Sequence, residues 1–229
     1  MNDTDDFTAP SAIDSLRREA ALPCQLYLIS PPTIDAGFAD QLRAAADGGA
    51  IAAFQLRLKG IDDHAVARLA EPVQKLCADL DISFLVNDSI AMARRMGADG
   101  VHLGQSDGDL REARDVLGRD AQIGVTCHNS RHLAMEAGEA GADYVAFGAM
   151  FQSGTKNASL FADTDIINWW SLISPIPCVA IGGISPDNAR PVVEAGADFI
   201  AISGAVWNAT EGPASAVKRF HALFDEASR

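Results

Sequence analysis

Three copies of one tripeptide constrain the fold more than any other feature of this chain. Gly97-Ala98-Asp99, Gly141-Ala142-Asp143 and Gly196-Ala197-Asp198 each stand between an Ala-rich helical stretch and a short apolar run, and a related Gly48-Gly49-Ala50 precedes another such run. Glycine takes the left-handed position at a helix end, so each copy reads as a helix stop and a tight turn into a strand. With β-branched and apolar content added, strands are predicted at 25–29, 52–57, 83–86, 100–103, 122–125, 144–147, 178–181 and 199–202. Helical segments separate them, which demands parallel βαβ units with right-handed crossovers instead of hairpins. Eight units in about 200 residues fit a single α/β (β/α)8 TIM barrel. An open doubly wound sheet is the alternative. The first predicted strand runs into Ile29-Ser30-Pro31-Pro32, however, and has no Gly-rich dinucleotide loop. Residues 1–22 are polar and acidic and read as a short N-terminal extension with a capping helix over 13–21; residues 23–229 form the barrel.

Charge narrows the partners. Lys and Arg total 18 against 31 Asp and Glu, a net of −13, and such a surface repels a nucleic-acid backbone at long range. Small phosphorylated ligands stay open, because a few local cations and backbone amides suffice to hold one. No apolar run approaches the roughly 20 residues of a membrane span, and the first 20 residues lack the basic and apolar regions of a secretory signal, so a cytoplasmic protein is expected. Cys24, Cys77, Cys127 and Cys178 show no metal-ligand spacing and read as reduced core residues; Cys127 has no evident base beside it.

In a barrel the chemistry sits at the C-terminal strand ends. The second predicted strand ends Gln55-Leu56-Arg57-Leu58-Lys59, and period-two alternation puts Gln55, Arg57 and Lys59 on one side. Polar and cationic groups converging on a barrel mouth call for an anionic partner, which a phosphate or diphosphate supplies. The third ends Val86-Asn87-Asp88 and the fourth Leu103-Gly104-Gln105-Ser106-Asp107. On strands about 4.8 Å apart, Asp88 and Asp107 can meet and, with a diphosphate, offer the oxygen ligands that Mg²⁺ prefers. The plainer reading has each of them capping the helix that follows. Thr126 and His128 after the fifth strand are candidates for hydrogen bonding or proton transfer, with Asn129 or Ser130 an N-cap; His102 reads as packing or orienting a neighbour. Ser153-Gly154-Thr155-Lys156 suits a loop closing over phosphate. Gly182-Gly183-Ile184 and Ile202-Ser203-Gly204 free backbone N–H groups after strands seven and eight, the usual phosphate position in such barrels. Ser185 reads as an N-cap with Pro186 at the first helical position. A cationic site and a backbone site in one pocket suggest two phosphorylated substrates being joined.

QLRLK at 55–59, VND at 86–88, GADGVHLGQSD at 97–107, GVTCHN at 124–129, GTK at 154–156, AIGGI at 180–184 and AIS at 201–203 resemble, in order, the thiamine-phosphate synthase family. The resemblance implies a (β/α)8 transferase that joins hydroxymethylpyrimidine diphosphate to thiazole phosphate and releases diphosphate. It implies that Gln55, Arg57, Lys59, Asn87 and Lys156 hold the diphosphate and Asp88 and Asp107 hold Mg²⁺. Thr126, where the family usually has Ser, would lie near the pyrimidine; Arg57, Lys59, Thr126 and Lys156 would carry catalysis. Ser153, Thr155 and the backbone at Gly183, Ile202 and Ser203 would hold the thiazole phosphate. The loop departs from the family's Thr-x-Thr-Lys in having Ser153, and Gly148-Ala149 stands where the family has Gly-Pro. The alternatives are a related thiazole tautomerase, in which His128 would move protons, and a non-catalytic paralogue binding a thiamine precursor. Partners are small molecules, with a homo-oligomer left open. Trp169 and Trp170 read as core or subunit packing.

Overall fold

The computed structural model describes residues 23–152 and 161–227; the N-terminal arm and the Ser153, Thr155 and Lys156 loop lie outside the described residues. Eight strands close into a barrel in chain order, every neighbouring pair parallel, β8 returning to β1. They are β1 Gln25–Ile29, β2 Ala53–Leu56, β3 Ser83–Asn87, β4 Gly100–Leu103, β5 Gln122–His128, β6 Tyr144–Gly148, β7 Cys178–Ile181 and β8 Phe199–Ile202. Around them run α1 Phe38–Ala46, α2 Asp63–Asp79, α3 Ile90–Met96, α4 Leu110–Leu117, α5 Arg131–Glu139, α6 Thr164–Ile173, α7 Arg190–Glu194, α8 Gly204–Trp207 and α9 Pro213–Ala227. The predicted strands and the barrel agree with this architecture.

The repeated tripeptide has two jobs. Gly97 stands at the C-terminus of α3 with φ +61, and the next amide, Ala98 N–H, reaches back to the Ala93 carbonyl at 3.0 Å. That six-to-one bond closes the helix in a Schellman turn. The aspartate then grips the preceding strand. Asp99 accepts the Phe84 amide at 2.7 Å, Asp143 the Ile123 amide at 2.7 Å and Asp198 the Cys178 amide at 2.7 Å. The backbone amide of each returns a bond to the carbonyl of the same strand residue, at 2.9, 2.8 and 3.1 Å. Each Asp thus clamps the foot of one strand to the next: β3 to β4, β5 to β6, β7 to β8.

Apolar side chains sort into two layers. Outward-facing strand residues such as Leu26, Phe54, Phe84, Val101, Ile123 and Phe147 pack under the helices, with Trp170 buried against Phe147 and its indole N–H on the Ile176 carbonyl at 2.8 Å. Trp169 beside it is half-buried with the Arg131 guanidinium over its ring. Inward-facing residues, among them Tyr27, Ile29, Leu85, Tyr144, Val179 and Ala201, fill the barrel itself. Gly124 makes room for this filling: a Cβ there would sit inside the Tyr144 ring. At the N-terminal end of the barrel a cavity of about 370 Å³ is lined by Tyr27, Leu85, Tyr144, Val179 and Phe199 among others. All four cysteines are buried and free, and burial pushes the Cys127 thiol up to about 12, which fits a core residue and not a nucleophile.

One local expectation is corrected. Residues 185–188 form a turn, Asn188 N–H and Ala189 N–H both returning to the Ser185 carbonyl, and α7 begins only at Arg190. Ser185 is not its N-cap. The Asn188 side chain decides the matter: its Oδ1 accepts from Ser185 N–H at 2.8 Å and its Nδ2 donates to the Gly183 carbonyl at 3.0 Å.

Candidate active site

Every described candidate stands at the C-terminal mouth. Gln55 is the next-to-last residue of β2 and is buried inside the barrel, whereas Arg57 and Lys59 follow the strand end, half-buried and exposed. Ser30 holds that corner. Its N–H donates to the Gln55 carbonyl at 2.9 Å and its Oγ accepts the Arg57 amide at 2.8 Å. Ser203 Oγ donates in turn to the Ser30 carbonyl at 3.2 Å, and the Trp207 indole donates to the Ile29 carbonyl at 2.6 Å. The ends of β8, β1 and β2 are therefore one rigid unit, and Ile202 and Ser203 reach the mouth by their backbone.

Asn87 ends β3, and Asp88 follows it with φ +67. Asp88 caps no helix; Ser89 does, accepting the Met92 amide at 3.1 Å. Nor does Asp107 cap α4, since Asp109 takes the Arg111 and Glu112 amides. Asp107 instead closes its own turn, its Oδ2 accepting the Gly104 amide at 2.9 Å. Freed from capping, the two carboxylates face each other. Burial first, and then the Asp107 carboxylate, push the Asp88 acid upward, with Lys59 and Arg57 opposing. Lys59 Nζ lies 3.8 Å from Asp88 Oδ2. Among the described residues no group of three or more His, Cys, Asp or Glu is placed to hold a metal ion, so they offer two carboxylates and not a cage. That set suits Mg²⁺, which keeps waters and takes the rest of its shell from substrate phosphate.

The opposite rim is backbone. Gly183 has φ +66, and a Cβ on it would strike the carbonyls of Phe151 and Gln152. Only glycine fits, which brings the chain after β7 against the chain after β6.

Between the rims runs a line of polar side chains that sequence reading saw only in part. Gln55 Nε2 donates to Tyr27 Oη at 2.8 Å; Tyr27 Oη meets Tyr144 Oη at 3.0 Å; Tyr144 Oη meets His102 Nδ1 at 2.9 Å; His102 Nε2 meets Thr126 Oγ1 at 2.8 Å. His102 orients a neighbour, as expected, and burial lowers its pKa from 6.5 to about 4, with the Asp107 charge opposing. Tyr27 and Tyr144 went unsingled because an inward tyrosine on a barrel strand reads as core. Two tyrosines at inward strand positions, with Gln and His on neighbouring strands, were the available signal. His128 lies past a bulge in β5 with φ +52, exposed, its imidazole without a hydrogen-bond partner among the described residues. None of the described residues prepares it for proton transfer.

A family model described as thiamine monophosphate synthase matches residues 26–206. The chain is 60% identical over 197 residues to a thiamine-phosphate synthase of Erythrobacter litoralis, covering 84% of this chain and 92% of that protein. It is 53% identical over 199 residues to a thiamine-phosphate synthase of Rhodospirillum centenum, covering 86% and 96%. Among solved structures, the thiamine phosphate pyrophosphorylase from Pyrococcus furiosus superposes with a TM-score of 0.78 at 29% identity, covering 93% of this chain and 98% of that one.

Proposed function

The chain belongs to the thiamine monophosphate synthase family, and from that premise we propose how its barrel mouth joins a pyrimidine diphosphate to a thiazole phosphate. The activity is that of a transferase: diphosphate leaves the pyrimidine's methylene carbon with the C–O bonding pair, and the thiazole nitrogen gives its lone pair to that carbon. The family relation favours this reading over an isomerase or a binding paralogue, neither of which needs a grip on diphosphate.

One observation carries the assignment of the diphosphate end: Lys59 lies 3.8 Å from Asp88, which faces Asp107. Cations and paired carboxylates at one strand-end cluster match a leaving group of high negative charge with its counterion. Arg57 and Lys59 bind the departing diphosphate and neutralise the charge it gains, and Gln55, Asn87 and Lys156 are its further ligands. Asp88 and Asp107 would hold Mg²⁺, which when bound would supply further positive charge to the leaving group. Thr126 lies at the pyrimidine. Ser153, Thr155 and the backbone of Gly183, Ile202 and Ser203 hold the thiazole phosphate. The chemistry asks for no nucleophilic side chain, and each buried thiol is pushed out of the reactive range. The reading includes small-molecule substrates and a cytoplasmic location; no helix among the described residues is long and apolar enough to cross a membrane.

The test is a coupling assay with both purified precursors, with and without Mg²⁺, following thiamine phosphate by fluorescence after oxidation. Product formed only with metal is expected. Binding of the thiazole precursor without product would refute the synthase reading.

A further inference from the structure

The five side chains between the rims admit a stricter account than a list of contacts. Tyr27 Oη is buried, and its only partners among the described residues are Gln55 Nε2 and Tyr144 Oη. Gln55 donates, so the Tyr27 proton has one acceptor left, Tyr144. Tyr144 is then an acceptor from Tyr27, and its own proton goes to His102 Nδ1. His102 is buried, and no carboxylate hydrogen-bonds to its ring, so it carries one ring proton. With Nδ1 accepting, that proton is on Nε2 and donates to Thr126 Oγ1. The Thr126 proton finds no acceptor among the described residues, and Thr126 is the half-exposed member of the line. Any other direction starting from this amide strands a buried tyrosine proton, the full desolvation penalty of which the fold would then bear.

We infer that Gln55, Tyr27, Tyr144, His102 and Thr126 form one directed hydrogen-bond chain, anchored at Gln55, that fixes the Thr126 hydroxyl as a donor toward the mouth. Tyr27, Tyr144 and His102 are positioning residues: they act through Thr126. The group that Thr126 meets must accept, and, resting on the synthase reading, that group is a ring nitrogen of the pyrimidine. The chain also couples the two ends of the site. If the Gln55 amide turned to present its oxygen, every donor in the line would reverse and Thr126 would donate into His102.

The direction is readable without any ligand. Long-range ¹H–¹⁵N correlation on the full-length protein with labelled histidine, His102 identified by its loss in His102→Gln, reports which ring nitrogen carries the proton. The Nε2–H tautomer is expected in the wild type, and the Nδ1–H tautomer overturns the proposal. Gln55→Glu replaces the anchoring donor by an acceptor once its carboxyl is ionised, so the tautomer is read on the alkaline side, where a buried carboxyl has lost its proton. Tyr27 must then donate to it, and the His102 proton should move to Nδ1. Retention of Nε2–H in that variant would sink the coupling. If Gln55→Glu fails to fold, the wild-type tautomer alone decides. A wild-type protein with the Nε2–H tautomer but no coupling activity supports the directed chain and refutes the synthase reading.

Discussion

Exchanging His102 for glutamine should flatten the acid side of this protein's stability curve. The imidazole is buried between Tyr144 and Thr126, and burial lowers its pKa to about 4. In the unfolded chain it returns to about 6.5. Between those values the folded state binds fewer protons than the unfolded one. Stability owed to the neutral ring is therefore present above about pH 6.5 and is lost as pH falls toward about 4. Working the linkage from about pH 7 to about pH 5 gives a loss of about 2 kcal/mol from this residue alone. Urea unfolding of wild type and His102→Gln at a series of pH values measures it. The fixed cost of the substitution moves the whole variant curve and drops out of the slope, and groups common to both proteins cancel. The wild type should lose stability with the slope of nearly one proton below about pH 6 relative to the variant. Two parallel curves would show that the ring is protonated in the fold and that the neutral-histidine argument fails.

Other consequences are as direct. Asp99→Ala and Asp198→Ala each strand a strand-foot amide, and each should cost about 2 kcal/mol, several degrees of melting temperature by calorimetry, with KM values unchanged. Gly124→Ala forces a methyl into the Tyr144 ring and should cost about 1–3 kcal/mol; circular-dichroism melting checks it. Asp107→Ala should abolish metal-dependent turnover while leaving the far-ultraviolet spectrum intact, and unchanged turnover at saturating Mg²⁺ would remove Asp107 from the metal site.

The barrel was legible because its signals are local. Short apolar runs between helical stretches, several of them closed by Gly at a helix end, fix element type and order, and a parallel ladder of eight follows from connection length. The strand-end residues were legible for a related reason, since once the barrel is accepted its C-terminal mouth is known. Asp88 and Asp107 could not be separated from N-caps by sequence, because capping and metal ligation use the same residue type at the same place; Ser89 and Asp109 take the caps, which removes the capping reading. The turn at 185–188 was misread because Ser-Pro opens helices and turns alike, and Asn188 tipped it. The tyrosine–histidine line was illegible for a deeper reason. Tyr27 and Tyr144 are 117 residues apart, and their meeting depends on barrel register and on the absent side chain of Gly124.

The three aspartate clamps fall on β3–β4, β5–β6 and β7–β8. Among the described residues no such carboxylate bridges β2–β3, β4–β5 or β6–β7. Strands β3 to β8 thus fall into three clamped pairs, with a seam between each pair and the next. A circularly permuted chain opened at the β4–β5 seam would keep each clamp within one unbroken stretch, whereas one opened between β3 and β4 would put Phe84 and Asp99 at opposite ends of the polypeptide. Modules of this kind are natural units for growth by duplication and for recombination between barrels.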